Sequence, residues 1–187
     1  MADEGDPMRI IAGSKKGMKL KTPGGTSVRP TANRVREALF NILGPLVRDA
    51  VFIDLYAGSG AVGIEALSRG ARLAIFVENK RDNIPLIGEN LKKSGFKDRS
   101  LLLHRDVNRA LPHLAEKQFR ADLIFMDPPY LSKEIPTVIK AINGLPLLSP
   151  DGLIIVEHAC SNGEWAAVFS NLRRKKYGQT CLSIIKP

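Results

Sequence analysis

Five short apolar runs recur along the chain: VFIDL at 51–55, LAIFV at 73–77, LLL at 101–103, ADLIFM at 121–126 and LIIV at 153–156, with helix-compatible segments of about 15 to 25 residues between them. Strands that alternate with helices predict βαβ crossovers and a parallel sheet covered on both faces. The tail RRKKYGQTCLSIIK reads as two strands about a Tyr-Gly turn, so an antiparallel hairpin is expected to finish the sheet. Upstream, RIIAGSKKGMKLKTPGG alternates short apolar pairs with Gly and Lys and suggests a short β-hairpin and loop. After Pro30, Thr31 can cap a helix that places Val35, Ala38, Leu39, Ile42 and Leu43 on one face and ends near Gly44-Pro45. The expected organisation is a leader at 1–7, flexible or left over from cloning, a basic hairpin extension at 8–30, and a single α/β domain at 31–187.

The 187 residues suffice for one well-buried core. Charge is unevenly spread. Eight basic residues and no acidic one lie between Met8 and Arg36, and five and none between Trp165 and Pro187, whereas the rest of the chain nets −4 against an overall +9. Basic ends on an acidic body are either solvated lysines or an electrostatic footprint for a polyanion. Cys160 and Cys181 stand far apart in sequence and form no C-x-x-C, so neither a disulfide nor a zinc site is expected, and a reducing cytoplasm fits. No run approaches 18 apolar residues, and the acidic start MADEGDP is unlike a signal peptide.

Following the first strand, DLYAGSGAVGIEALSRGA places Gly58, Gly60 and Gly63 in G-x-G-x-x-G spacing. That spacing gives a tight turn, close backbone approach to a ligand, and a helix start beneath it, although Gly-rich β-α turns also arise for packing alone. Glu78 ends the second strand 20 residues after Gly58, where a carboxylate can accept from ribose hydroxyls. Asp54 stands at the mouth of the first strand. There it would oppose a dinucleotide pyrophosphate but suits a ligand with positive charge, which favours S-adenosylmethionine over NAD. Asp106, in HRDV, can accept from an adenine amino group or equally cap the helix that begins at Val107 or Asn108.

The fourth strand runs into DPPY, Asp127 to Tyr130. Pro128 and Pro129 fix two φ angles and supply no N–H, which leaves the Asp127 carboxylate and nearby carbonyls as a rigid cluster of acceptors. Such a cluster wants a group with two hydrogens, and the exocyclic amine of a nucleobase is one. Two accepted hydrogen bonds bias that nitrogen toward sp³ character and aim its lone pair at a methyl donor, with Tyr130 stacked on the base; neither a metal nor a covalent nucleophile is required.

DLYAGSGAVGIEAL, FVEN, HRDV and DPPY occur in the order and spacing of class I S-adenosylmethionine-dependent methyltransferases that methylate amines. RIIAGSKKGMKLKTP followed by VRPTANRVREALFNIL resembles the N-terminal signature of the bacterial 16S ribosomal RNA guanine-N2 methyltransferases, the RsmD family, and the resemblance extends to the KKYGQTCLSI tail. It implies a Rossmann-like fold with a mainly parallel seven-stranded sheet, a C-terminal antiparallel hairpin, helices on both faces and a small N-terminal hairpin, acting in the cytoplasm as a monomer. The cofactor would meet Asp54, Tyr56, Ala57, Gly58, Ser59, Gly60, Gly63, Glu78, Asn79, Asp106 and Val107, with Thr31 at its methionine end. Asp127 to Tyr130 would hold a guanine of 16S rRNA in the small subunit or an assembly intermediate, and Lys15, Lys16, Lys19, Arg29, Arg34 and Arg36 would face RNA; Arg34 or Arg36 could instead pair with Glu37. DNA or RNA methylation at adenine N6 or cytosine N4, glutamine methylation of a protein, a non-catalytic RNA-binding module and an NAD-dependent dehydrogenase are the competing readings. Cytosine C5 methylation would need a nucleophilic cysteine that no Pro-Cys motif supplies.

Overall fold

The computed structural model describes residues 8–25, 30–129, 134–169 and 171–187. Its seven strands are β1 (Val51–Leu55), β2 (Leu73–Glu78), β3 (Ser100–His104), β4 (Ala121–Met126), β5 (Leu148–Ala159), β6 (Leu172–Tyr177) and β7 (Thr180–Ile185), and they form one sheet in the order β3-β2-β1-β4-β5-β7-β6. β1 to β5 are mutually parallel, and β7 enters antiparallel between β5 and β6. The expected mainly parallel sheet with a closing hairpin is therefore present. The chain winds outward from β1 to β3 and then restarts at β4 on the other side of β1. This reversal opens a crevice at the carboxyl ends of β1 and β4, where ligands bind in sheets of this kind.

Side chains of alternate parity feed two apolar layers, as a twice-covered parallel sheet requires. One layer gathers Phe52, Phe76, Phe125 and Ile155 under α1 (Pro30–Leu43), α2 (Ala61–Ser68) and α3 (Asn83–Ser94). The other joins Ile53, Ile75, Ile124, Ile154 and Val156 to α4 (Val107–Glu116) and α5 (Ile135–Asn143). Each fully buried Phe of the first layer contributes about 1.5–3 kcal/mol. α1 buries Val35, Leu39 and Leu43 as expected, together with Phe40. It begins at Pro30, whose fixed φ and missing N–H suit a first helical position, so Thr31 lies within the first turn and not before it.

The N-terminal segment is a hairpin reduced to one bridge, Arg9 to Lys19, with Ile10 N–H to Met18 O at 3.0 Å and Leu20 N–H to Met8 O at 2.8 Å. It is pinned to the core by buried polar groups. Glu65, with no exposed surface, accepts from Ile11 N–H at 2.8 Å and Ala12 N–H at 2.9 Å, and Asn90 exchanges bonds with the Lys21 backbone at 2.8 and 3.0 Å. Gly13 approaches so closely that an added Cβ would lie 1.9 Å from Ser68 O. These are obligatory partners for buried groups, so the extension belongs to the domain's architecture.

One expectation is overturned. Cys160 and Cys181 form a disulfide, with Cα atoms 5.0 Å apart. The chain between them returns β7 antiparallel against β5, where His158 faces Cys181 and Cys160 N–H donates to Gln179 O at 2.9 Å. Sequence separation says nothing against a pair that an antiparallel return brings together.

Candidate active site

The loop from β1 to α2 needs three left-handed residues in close succession: Tyr56 at φ 66, Gly58 at φ 58 and Gly60 at φ 78. Glycine adopts that region freely, whereas Tyr56 is strained there by on the order of 1–3 kcal/mol, a cost typical of functional turns. Its hydroxyl donates to Glu134 Oε2 at 3.1 Å, and burial followed by the Glu134 charge pushes the phenol pKa up. Gly63 has a different role. A Cβ there would meet the Phe76 ring at 2.3 Å, so this glycine lets α2 lie against β2.

Two buried carboxyls close the loop. Glu78 accepts from Gly58 N–H at 2.7 Å, Lys80 N–H at 2.7 Å and Asn83 Nδ2 at 3.1 Å, which ties the glycine turn to the end of β2. Asp54 accepts from Gly63 N–H at 3.0 Å. Burial outweighs that bond, and with the charges of Asp127 and Glu78 it raises the Asp54 carboxyl to about 7. Asn90 Nδ2 holds Ser59 O at 3.0 Å, so the outer wall of the turn is fixed as well.

Across the crevice lies the corner after β4, described as far as Pro129. Asp127 is exposed to the cleft, Pro128 is buried and Pro129 exposed. The cleft walls hold the Asp127 carboxyl above the ordinary range, at about 6. Beside it on β5, Glu157 is pushed to about 8, first by burial and then by the Asp127 charge. The two neighbouring carboxyls titrate as a pair, both held above the ordinary carboxylate range.

A cavity of about 200 Å³ joins these groups: Asp54, Ala57, Gly58 and Ser59 from the glycine loop, Asp127 and Glu157 from the far side, and Met8 and Arg36 above. Arg36 is 5% exposed and donates to Arg9 O and to Asn33 Oδ1, the latter at 3.2 Å. Its Nε finds no partner among the described residues. Burial lowers its pKa, partly offset by Glu65.

The remaining candidate residues divide. Asp106 caps α4, accepting from Asn108 N–H at 2.9 Å, and Val107 is buried in the second apolar layer. Asn79 is exposed, its carbonyl bonded to His104 Nε2 at 3.2 Å. Lys15, Lys16, Lys19 and Arg34 lie toward solvent, whereas Arg36 turns inward to the cleft. Arg29 and Tyr130 lie outside the described residues, and of Thr31 only its place in α1 is described. Sequence reasoning missed Glu157. The signal was there, because LIIVE repeats the pattern of LAIFVE, an apolar run closed by Val and an acid.

A seven-stranded sheet of this order, with a glycine turn after β1, an acid ending β2 and an acceptor corner after β4, defines a class I methyltransferase. The chain belongs to the family described as Conserved hypothetical protein 95, whose model matches residues 8–186. It is 38% identical over 181 residues to a Bacillus subtilis protein provisionally named an rRNA methyltransferase, covering 96% of this chain and 98% of that one. It is also 38% identical over 159 residues to the Escherichia coli ribosomal RNA small subunit methyltransferase D, covering 83% and 77%. A solved structure of a hypothetical protein from Thermus thermophilus superposes with a TM-score of 0.81 at 30% identity, covering 96% of this chain and 99% of that one.

Proposed function

We propose that the protein methylates the exocyclic N2 amine of one guanine in the 16S RNA of the small ribosomal subunit, by direct transfer from S-adenosylmethionine. The observation that carries this reading is Asp127: a carboxylate exposed to the cleft at the end of β4, followed by two residues that have no N–H to donate. Relatives named for small-subunit rRNA methylation support the RNA target.

The cavity fits the cofactor's amino-acid end. Asp54, an acid, and Arg36, a cation, line one space, which matches an ammonium and a carboxylate on one small molecule. Gly58 and Gly60 would pass its ribosyl part, with Glu78 beside the hydroxyls. When bound, it supplies an electrophilic methyl group on a cationic sulfur. The chain's own residues do the rest. Asp127 accepts the hydrogens of the base amine, orients its lone pair, and takes the proton that the nitrogen sheds, a role suited to a carboxyl poised near 6. Lys15, Lys16, Lys19 and Arg34, on the solvent side, would meet phosphates while the base leaves its stack. Among the described residues no helix is long and apolar enough to cross a membrane.

The test is nucleoside mass spectrometry of ribosomal RNA made with and without the protein. Gain of N2-methylguanosine at one site of the small-subunit RNA is expected. Label that enters only DNA, or only protein, would replace this reading.

A further inference from the structure

Glu157 has no part in the chemistry described so far. It lies near the end of β5, the strand next to β4 on the side away from the glycine loop, and it lines the same cavity as Asp127. Its side chain lies on the face of Leu153 and Ile155, toward α1, and it makes no hydrogen bond or salt bridge with any described residue. A partly buried carboxyl without a partner is unfavourable where the fold does not need it, and the cavity is also lined by Arg36, whose buried Nε finds no partner among the described residues. The space is therefore lined by two residues with polar groups that no described residue matches.

Building on the guanine reading above, we propose that Glu157 is a specificity-determining residue that reads the N1–H and O6 of the base whose N2 amine is held at Asp127. Guanine presents N2–H₂, N1–H and O6 in a row along one edge. Asp127 accepts only, which suits the amine. The next two groups need an acceptor and a donor side by side, and a carboxyl that keeps its proton is both: the C=O accepts from N1–H while the O–H donates to O6. Neighbouring strands lie about 4.8 Å apart, a separation of the same order as the width of that edge. Adenine or cytosine with its amine at Asp127 would present a ring acceptor next, leave half of this pair unused, and be repelled by an ionised Glu157.

The surroundings favour the protonated form near neutrality. Asp127 after β4 and Asp54 on β1 face Glu157 with negative or ionisable groups, Arg36 of α1 is the cation across the cavity, and Lys175 of β6 lies two strands away in register through Leu182. Burial and Asp127 together hold the carboxyl at about 8.

The test compares wild type, Glu157→Ala and Glu157→Gln on small ribosomal subunits that lack the methyl group. It measures kcat/KM for label transfer between about pH 6 and about pH 10, with S-adenosylmethionine affinity and Tm measured for each protein. A glutamine amide presents the same acceptor and donor and cannot ionise. Glu157→Ala is expected to lose about 10²-fold in kcat/KM, with cofactor affinity and Tm retained. Glu157→Gln should recover most of that loss and lack the fall, approaching tenfold per pH unit, that is expected of wild type from about pH 8 until the guanine N1–H itself ionises above about pH 9. A Glu157→Ala enzyme as active as wild type, a Glu157→Gln enzyme no better than Glu157→Ala, or that same fall persisting in Glu157→Gln would each overturn the proposal. If Glu157→Ala does not fold, the pH profile of Glu157→Gln decides. Wild type that forms no N2-methylguanosine at all would instead reject the reading on which this one rests.

Discussion

The two sides of the crevice are built on opposite terms. On the β2 side the polar groups are employed: Glu78 gathers three donors, and the buried Asn90 anchors both Ser59 and the N-terminal segment. On the β4 and β5 side, Asp127 and Glu157 stand unpaired among the described residues, with both pKa values raised. A satisfied network fixes a turn so that a ligand meets a finished surface, whereas in the reading proposed above the two carboxyls gain partners only when a substrate arrives. The first side should therefore fail by losing structure and the second by losing chemistry.

The sharpest way to break this contrast is Asp127→Ala. Transfer is expected to fall by on the order of 10³-fold or more, while S-adenosylmethionine affinity by calorimetry and Tm stay near wild type. Unchanged turnover would remove the acceptor corner from the account. Glu78→Ala should do the reverse. It strands the Gly58 and Lys80 N–H groups and the Asn83 amide, so about 3 kcal/mol of stability is expected to go in denaturant unfolding, along with most cofactor affinity. Glu65→Ala acts further out, with an expected loss of about 2 kcal/mol and faster amide exchange at Ile11 and Ala12, because these two backbone N–H groups and the Arg69 Nε–H lose their acceptor.

The β5 side should also carry a pH signature. Glu157 has its pKa raised on folding, from near 4.3 to about 8. Its contribution to stability is therefore full below the unfolded value and is lost as pH rises through the folded one. Glu157→Gln escapes that loss, so its Tm advantage over wild type should grow from about pH 5 to about pH 8 and then level off. A Tm difference that is flat across this range would mean that Glu157 is not held protonated in the folded cleft. Smallest of all, Lys15→Glu with Lys16→Glu should leave folding intact and reduce the salt slope of RNA binding by about 2.

Much of this was legible in the sequence because parallel strands buried on both faces leave continuous apolar runs; β1 and β4 fall at their expected bounds. β5 is longer than LIIV suggests, since Leu148 pairs with Ala121 before a register shift carries Leu153 to Leu123, and the intervening Ser-Pro-Asp-Gly has no strand pattern. The disulfide, the pinning by Glu65 and Asn90, and the cleft position of Arg36 depend on long-range placement that no local period encodes. Asp106 was ambiguous between cap and ligand for a physical reason: an acid before a helix does the first whether or not it does the second.

The central claim, a finished cofactor side facing a substrate side whose carboxyls are left for the base, is tested most directly by the crystal structure of the protein with S-adenosylhomocysteine. The ligand's ribose should lie at Glu78 and its amino-acid end between Asp54 and Arg36, with its sulfur directed toward Asp127. Density for the ligand away from the carboxyl ends of β1 and β4, or with its sulfur turned from Asp127, would contradict the account.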